Sequence, residues 1–116
     1  MDQARWVKAK KLALARDGDK CIRCLGEAET VHHRIPRGMG GSSDPERNYG
    51  LANLVCLCSP CHDWAHQNPA EAYETGFLLH WWDDPEIFPL TVKPGSFFVT
   101  LTKDGNMEIT HPAVLF

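Results

Sequence analysis

Four of the five cysteines form two pairs with the same internal spacing, Cys21/Cys24 and Cys58/Cys61. Each Cys-x-x-Cys pair can turn two thiolates toward one ion, so together the pairs predict a tetrahedral four-cysteine zinc site. Two redox-active pairs or buried thiols without a metal are the alternatives, and neither requires two matching pairs in one short chain. The fifth cysteine, Cys56, lies in an apolar stretch and is expected to be a small core residue.

Four histidines and an asparagine lie inside this cysteine frame or directly after it: His32, His33, Asn53, His62 and His66. Imidazole titrates near neutrality and binds metals, so these side chains could act as bases or ligands. His62 and His66 are four positions apart, and a helix would present both on one face toward a common ion. Neighbouring residues of a regular strand point to opposite faces, so we expect His32 and His33 at a strand end or on two sides of a phosphate.

In this combination the sequence resembles the HNH endonuclease family. The matching segments are Cys21-x-x-Cys24, "HHRIP" with "GG" behind it, "LANLVCLC" and "CSPCHDWAH", which together span roughly residues 18–68. Many family members have Asp-His where this chain has His32-His33, and a histidine at the first position followed by His-x-x-x-His is similar to the colicin nuclease site. The N-terminal helix and "NPAEAYETGFLL" are similar to those of small phage-encoded members.

The resemblance implies a metal-dependent DNA endonuclease, and phosphodiester hydrolysis requires a base, a cation and a group that orients the base. We expect His33 to be the base and the amide oxygen of Asn53 to fix its ring. His32, His62 and His66 are expected to bind the catalytic ion, which is Mg²⁺, Mn²⁺, Ni²⁺ or Zn²⁺; three imidazoles suit transition ions better than magnesium.

Each of these roles has an alternative that the sequence leaves open. His33 could be structural, His32 could face solvent, and His66 could have no ligand role. Asn53 could cap the short turn around it, or its role could belong to Asn48.

Charge indicates which part of the chain would meet DNA. Residues 1–47 hold ten Lys and Arg against seven Asp and Glu (+3), whereas residues 48–116 hold two against eight (−6). The N-terminal half is therefore the better candidate for contact with a polyanion. The candidate contacts are Lys8, Lys10 and Lys11 on the first helix and Arg34 and Arg37 after the histidine pair; both arginines could equally be solvated.

Helix and turn signals place these residues on elements. Residues 3–16 favour a helix that Asp17-Gly18 ends. A strand is expected near residues 29–35, followed by a glycine-rich loop through residue 43. One helix should start at Ser59-Pro60 with Ser59 as N-cap, and another after Asn68 as cap, ending at Gly76. From residue 77 the chain should be β-rich, with two strands around a turn at residues 104–106.

The tryptophans, and the two histidines outside the motif, are expected to pack rather than to react. The four tryptophans, Trp6, Trp64, Trp81 and Trp82, are interpreted as core or tail packing instead of base-stacking platforms. His80 and His111 are interpreted as ordinary structural residues.

The elements predict one α+β domain over residues 1–116 with a structural zinc, and the family resemblance implies a ββα-metal (His-Me finger) core. Its parts are a basic N-terminal helix (1–17), the zinc-clasped core (18–68), and a helix with a β-rich extension (69–116). No apolar run is long enough for a membrane span and no secretory signal is visible, which predicts a cytoplasmic protein, in the host if it is phage-encoded. DNA is the expected partner, and the phage resemblance implies a terminase as a further one. The alternative function is a non-catalytic, zinc-stabilised DNA-binding or packaging module. The oligomeric state is left open.

Overall fold

The computed structural model describes residues 2–37, 43–93 and 96–110 of the chain. The described elements are, in chain order, α1 (Gln3–Asp17), β1 (Thr30–His33), α2 (Pro45–Tyr49), a 3-10 helix (Leu51–Asn53), β2 (Leu54–Leu57), α3 (Ser59–Gln67), α4 (Pro69–Glu74), β3 (Leu90–Val92), β4 (Phe97–Leu101) and β5 (Met107–Thr110). The architecture mixes helices and sheets, as predicted. The predicted glycine-rich loop falls largely on residues 38–42, which lie outside the described residues, as does His111.

Strand β1, strand β2 and helix α3 carry the histidine pair, Cys56, Cys61, His62 and His66, whereas Cys21 and Cys24 lie in the turn segment between α1 and β1. The strands pair antiparallel with His32 opposite Val55 and His33 opposite Leu54. All four residues of β2 are buried, and α3 packs against β1. Helix α3 begins at Ser59 as expected, but its N-cap is Cys58 instead of Ser59, and the Ser59 hydroxyl donates to the Glu29 carboxylate.

Helix α1 packs on the other face of this hairpin, as its alanines allow. Ala9 and Ala13 lie in a small core cluster with Leu54 and Cys56. The helix ends at Gly18, whose φ of 64° is readily adopted by glycine. Its last residue, Asp17, accepts a bidentate pair from Arg16 and a hydrogen bond from the Cys56 backbone N–H. Cys56 is therefore the core residue that the sequence predicts.

The C-terminal part adds α4 and a three-stranded antiparallel sheet in the order β3-β4-β5. The predicted strands around residues 104–106 are β4 and β5, and Gly105 in the turn between them has a φ of 88°. Residues 77–89 form turns rather than strands, so the extension is β-rich only from Leu90 onward. Asn68 precedes α4 as expected, although its side chain donates back to the Trp64 carbonyl and makes no capping bond.

Within the described residues, no helix has the length and apolar character needed to cross a membrane.

Candidate metal centres and nuclease site

The first cluster contains the sulfur atoms of Cys21, Cys24, Cys58 and Cys61, which all lie within 4.8 Å of one another. Cys24 Sγ and Cys58 Sγ are 3.8 Å apart. Two sulfurs bound to one tetrahedral zinc at about 2.3 Å would be separated by about 3.8 Å, so the donor set and its spacing fit zinc. The chain is thus able to hold a metal ion at these four cysteines, as the paired spacing predicts.

The environment of the cysteines differs between the two pairs. A hydrogen bond from the Gly26 backbone N–H is the main cause that lowers the pKa of Cys24. Burial raises the pKa of Cys61 to about 12, although the nearby Arg23 opposes this effect. Because a thiolate is the form that binds metal, an ion at this cluster would displace the proton that burial favours on Cys61.

Arg23 connects the cysteine cluster to helix α3. Its Nη1 lies 3.5 Å from Cys61 Sγ, and its guanidinium carbon lies 3.6 Å from the ring centroid of Trp64. Trp64 in turn contacts the ring of Phe77 edge-on, with centroids 6.1 Å apart. Arg23 thus places a positive charge beside a metal-binding sulfur while covering a tryptophan of α3.

The second cluster contains the ring nitrogens of His32, His62 and His66, which also lie within 4.8 Å of one another. Helix α3 brings His62 and His66 to one face, as their spacing predicts, and their Nε2 atoms are 3.2 Å apart. Two nitrogens bound to one tetrahedral ion at about 2.0–2.1 Å would be separated by about 3.3 Å, so this set can also accept a divalent cation. Three imidazoles favour zinc, nickel or copper over magnesium by donor chemistry alone.

A backbone carbonyl orients His32. Its Nε2 lies 2.6 Å from the Phe77 carbonyl oxygen, which can only accept, so Nε2 carries the proton and donates it. Nδ1 then keeps the lone pair that a metal ion requires. Burial is the main cause that lowers the pKa of His32 to about 4, which keeps the ring neutral at physiological pH.

His33 points toward different elements from His32, consistent with alternation along β1. Its Nε2 lies 3.0 Å from the Asn48 backbone carbonyl and therefore donates to it, which leaves the lone pair on Nδ1. The Trp6 ring of α1 stacks on the imidazole, with centroids 5.0 Å apart and planes 20° apart. Burial, and after it the charge of Arg37, lowers the pKa of His33, so the ring is a neutral proton acceptor near pH 7.

Asn53 does not make the predicted contact with His33. Its amide oxygen accepts from the Ile35 backbone N–H at 2.7 Å, and its amide nitrogen donates to the carbonyls of Ile35 and Arg47. The group that orients His33 belongs to Asn48, which the sequence offers as the alternative, but it is a backbone carbonyl rather than a side chain. Asn53 instead ties the segment after β1 to the turn before β2.

The prediction that Arg34 contacts phosphate is wrong, because this side chain is completely buried. Its guanidinium donates to four backbone carbonyls, those of Ala52, Gly76, Pro85 and Phe88. Burial lowers its pKa to about 9, so the group stays charged at neutral pH. Arg34 therefore ties the C-terminal segment to the hairpin and is inaccessible to DNA.

A cleft of about 320 Å³ lies beside His33 and the cluster of His32, His62 and His66. It is lined by Trp6, Val31, His32, His33, Pro36, Arg37, His62 and His66. Arg37 is thus positioned to meet a ligand in the cleft, unlike Arg34. The sequence interpretation of Trp6 as packing alone is also incomplete, because its ring forms a wall of this cleft.

Lys8 and Lys10 of α1 lie on different faces of the helix, and Lys11 lines a groove together with Lys10 and Trp6. Lys10 lies over the Trp6 ring, with its Nζ 5.5 Å from the centroid, and is therefore close to the cleft. Lys8 lines a different groove with Arg5 and Tyr49. Successive helical residues turn by about 100°, which separates Lys8 and Lys10 by about 160° around the helix.

The functional contacts missed by the sequence interpretation are those of Trp6, Arg23 and the Phe77 carbonyl, together with the use of the Asn48 backbone carbonyl instead of its side chain. The carbonyls of Asn48 and Phe77 leave no sequence signal, because every residue has a carbonyl. The stacking of Trp6 on a histidine joins residues far apart in the chain. Only Arg23 had a usable signal, since it lies inside the first Cys-x-x-Cys pair.

The geometry therefore defines a mixed helix-and-sheet protein with two side-chain clusters, one of four cysteines and one of three histidines, that could each hold a metal ion. Residues 21–68 match the sequence model of the HNH endonuclease family, which confirms the predicted resemblance for this segment. That family comprises nucleases that act on DNA with divalent metals, so the match supports a nuclease-type function. Comparisons with curated proteins and with solved structures give no significant match.

Proposed function

We propose that the chain is a metal-dependent endonuclease that hydrolyses phosphodiester bonds of DNA, built on a ββα-metal core. The observation that carries the proposal is the single cleft in which the His32, His62 and His66 nitrogens lie beside the neutral ring of His33. The match of the same segment to the HNH endonuclease family supports it.

In the proposed reaction, His33 is the general base. Its Nδ1 accepts a proton from a water molecule whose oxygen attacks phosphorus, and the bond from phosphorus to the 3′ oxygen breaks. The 3′ oxygen takes up a proton from solvent water, so that 5′-phosphate and 3′-hydroxyl ends result. Asn48 and Trp6 hold the ring, one through its carbonyl and the other by stacking. A divalent cation held by His32, His62 and His66 would supply positive charge for the phosphoryl oxygens.

The cleft also suggests how the substrate is held. Arg37 can pair with a phosphate bidentately, and Lys10 adds positive charge next to Trp6. The sequence has no segment that resembles a dedicated major-groove reading module, which favours weak sequence specificity.

The test is cleavage of supercoiled plasmid by purified protein in a panel of divalent ions. His33→Ala should lose at least about two orders of magnitude in rate, the usual contribution of a general base, while DNA and metal binding persist. His32→Ala and His62→Ala should weaken binding of the divalent ion in calorimetry, and excess ion should restore part of the rate. His80→Ala, a histidine outside the cleft, is the matched control and should cut like wild type.

The rival function is a zinc-stabilised DNA-binding or packaging module without cleavage. It would replace the endonuclease proposal if wild type and His33→Ala both bind DNA and neither cuts it in any ion. Equal cleavage by the two proteins after rigorous purification would show that the activity does not come from His33.

The finer parts of the proposal rest on resemblance to small phage-encoded members. On that basis we extend it to one functional domain over residues 1–116, working in the cytoplasm of a host cell in genome packaging beside a terminase. Co-purification of the tagged protein with packaging components from infected cells is the corresponding measurement.

A further inference from the structure

A loop of exposed aromatic and aliphatic residues lies outside the nuclease cleft. We call residues 80–88 the aromatic loop. Trp81 is 72 %, Trp82 64 % and Ile87 69 % exposed, and Phe88 is 42 % exposed. The sequence prediction that Trp81 and Trp82 pack into the core or tail is therefore wrong, and a cluster of large apolar side chains faces solvent instead.

The aromatic loop is held in one shape although its side chains are exposed. Buried Arg34 donates to the carbonyls of Pro85 and Phe88 at 2.8 and 2.7 Å. The His80 ring stacks on Trp82 with centroids 4.5 Å apart, and the His80 backbone N–H donates to the Asp83 carboxylate. A loop ordered before binding loses less entropy when it binds, so this arrangement favours recognition.

The charge around the loop is negative. Trp81 lines a cleft of about 430 Å³ whose walls include the carboxylates of Asp83, Asp84 and Glu86 on the loop and those of Asp44 and Glu46 across from it, with Arg47 and Lys103 as its cations. Among the described residues, no lysine or arginine forms an ion pair with Asp84 or Glu86. An acidic rim of this kind repels nucleic-acid phosphates and attracts cations.

From these observations we propose that the aromatic loop is a docking surface for a protein partner that presents arginine or lysine side chains among apolar ones. Tryptophan faces are the best aromatic partners for cations, and the rim carboxylates can pair with the same groups. DNA is disfavoured by the charge of the rim. A second copy of this chain is disfavoured too, because a symmetric contact would place the acidic rims against each other. This proposal goes beyond the nuclease function and does not depend on it.

The test uses a fluorescent peptide that repeats Arg-Leu-Gly, with a Glu-Leu-Gly peptide of equal length as its charge control. The full chain should bind the arginine peptide, and binding should weaken as salt rises. Combined Trp81→Ser and Trp82→Ser substitutions should weaken it at least about tenfold. Combined Asp84→Asn and Glu86→Gln substitutions should weaken it and reduce its salt dependence. The matched control, Glu71→Gln with Glu108→Gln, changes two exposed acids outside the loop and should have no effect.

Four results would overturn the proposal. The first is that the arginine peptide does not bind, and the second is that it binds equally to wild type and to the tryptophan variant. The third is that the tryptophan variant loses affinity for duplex DNA. The fourth is that wild type is a dimer in sedimentation and the tryptophan variant is a monomer. The third would make the loop a nucleic-acid platform, and the fourth would make it an interface between copies of the chain. Plasmid cleavage should stay at the wild-type level in every loop variant, so failure here is distinguishable from failure of the nuclease proposal.

Discussion

At the scale of single residues, the two adjacent histidines have separate environments. His32 is buried and donates to the Phe77 carbonyl, whereas His33 is half-buried between Trp6 and the Asn48 carbonyl. In each ring the carbonyl fixes the proton on Nε2 and leaves Nδ1 as the reactive nitrogen. One dipeptide can therefore supply both a metal ligand and a proton acceptor.

Trp6 is predicted to act as a positioning residue for His33. Trp6→Leu removes the stacked ring and should lower the single-turnover cleavage rate about tenfold, because a base that samples several orientations is less often aligned with its water. Trp6→Phe should restore most of the rate, since a ring can stack again.

The control for this prediction is Val7→Ala, which truncates an exposed neighbour on the same helix. It should cleave at the wild-type rate. A Trp6→Leu protein as fast as wild type, or a Trp6→Phe protein as slow as Trp6→Leu, would show that stacking does not position the base.

At the scale of elements, helix α3 links the two candidate metal centres. It carries Cys61 at one end and His62 and His66 along one face. Arg23 contacts both Cys61 and the ring of Trp64, and Trp64 contacts the ring of Phe77. The carbonyl of Phe77 in turn orients His32. A metal held by the cysteines would thus support the helix that presents the histidines.

Arg23 is predicted to strengthen zinc binding by the cysteine cluster. Arg23→Met removes positive charge beside Cys61 and the contact with Trp64, and zinc affinity should fall about 10- to 100-fold in competition with a chromogenic chelator. The zinc affinity of Arg23→Lys should lie between those of wild type and Arg23→Met, since lysine keeps the charge but lacks the planar group that stacks on Trp64. Arg5→Met is the control, because Arg5 also lies over an aromatic ring, that of Tyr49, but far from the cysteines. Equal zinc affinity in Arg23→Met and wild type would contradict the prediction.

The position of the lysines on α1 gives a second prediction at this scale. Lys10→Gln should weaken binding of duplex DNA and lower the slope of its salt dependence by about one, whereas Lys8→Gln should have a smaller effect. The reason is that Lys10 lies over the ring of Trp6, a wall residue of the cleft, whereas Lys8 lines another groove. Salt titrations by fluorescence anisotropy measure both quantities, and a larger loss in Lys8→Gln would place the DNA on the other side of the helix.

At the scale of the whole molecule, buried arginines join parts of the chain that are distant in sequence. Arg16 bonds to Asp17 and to the carbonyls of Leu51 and Leu54, which fixes α1 to the second strand. Arg34 joins the hairpin to the C-terminal segment through its four carbonyls. The positive charge of the N-terminal half is thus partly used inside the protein and is not all available to a polyanion.

Arg34 and Arg37 are both interpreted from the sequence as phosphate contacts, but their substitutions are predicted to have different effects. Arg34→Met leaves buried carbonyls without their donor and should lower the free energy of unfolding by at least about 3 kcal/mol in urea denaturation. Arg37→Met should change it by less than about 0.5 kcal/mol, as is usual for partly exposed residues, while weakening DNA binding. Equal stability losses would mean that the buried guanidinium contributes no more than a surface one.

The sequence by itself determined the features that depend on local spacing. Two Cys-x-x-Cys pairs, histidines four apart on a helix, and glycine after α1 each define a local geometry, and the structure forms the elements they predict. Tertiary structure decided which group orients His33, that Arg34 is buried while Arg37 lines the cleft, and that Trp81 and Trp82 are exposed. Those outcomes depend on backbone carbonyls, which leave no mark in the sequence, and on packing between segments far apart in the chain. A residue's type therefore gave its chemistry here, and its burial and partners gave its role.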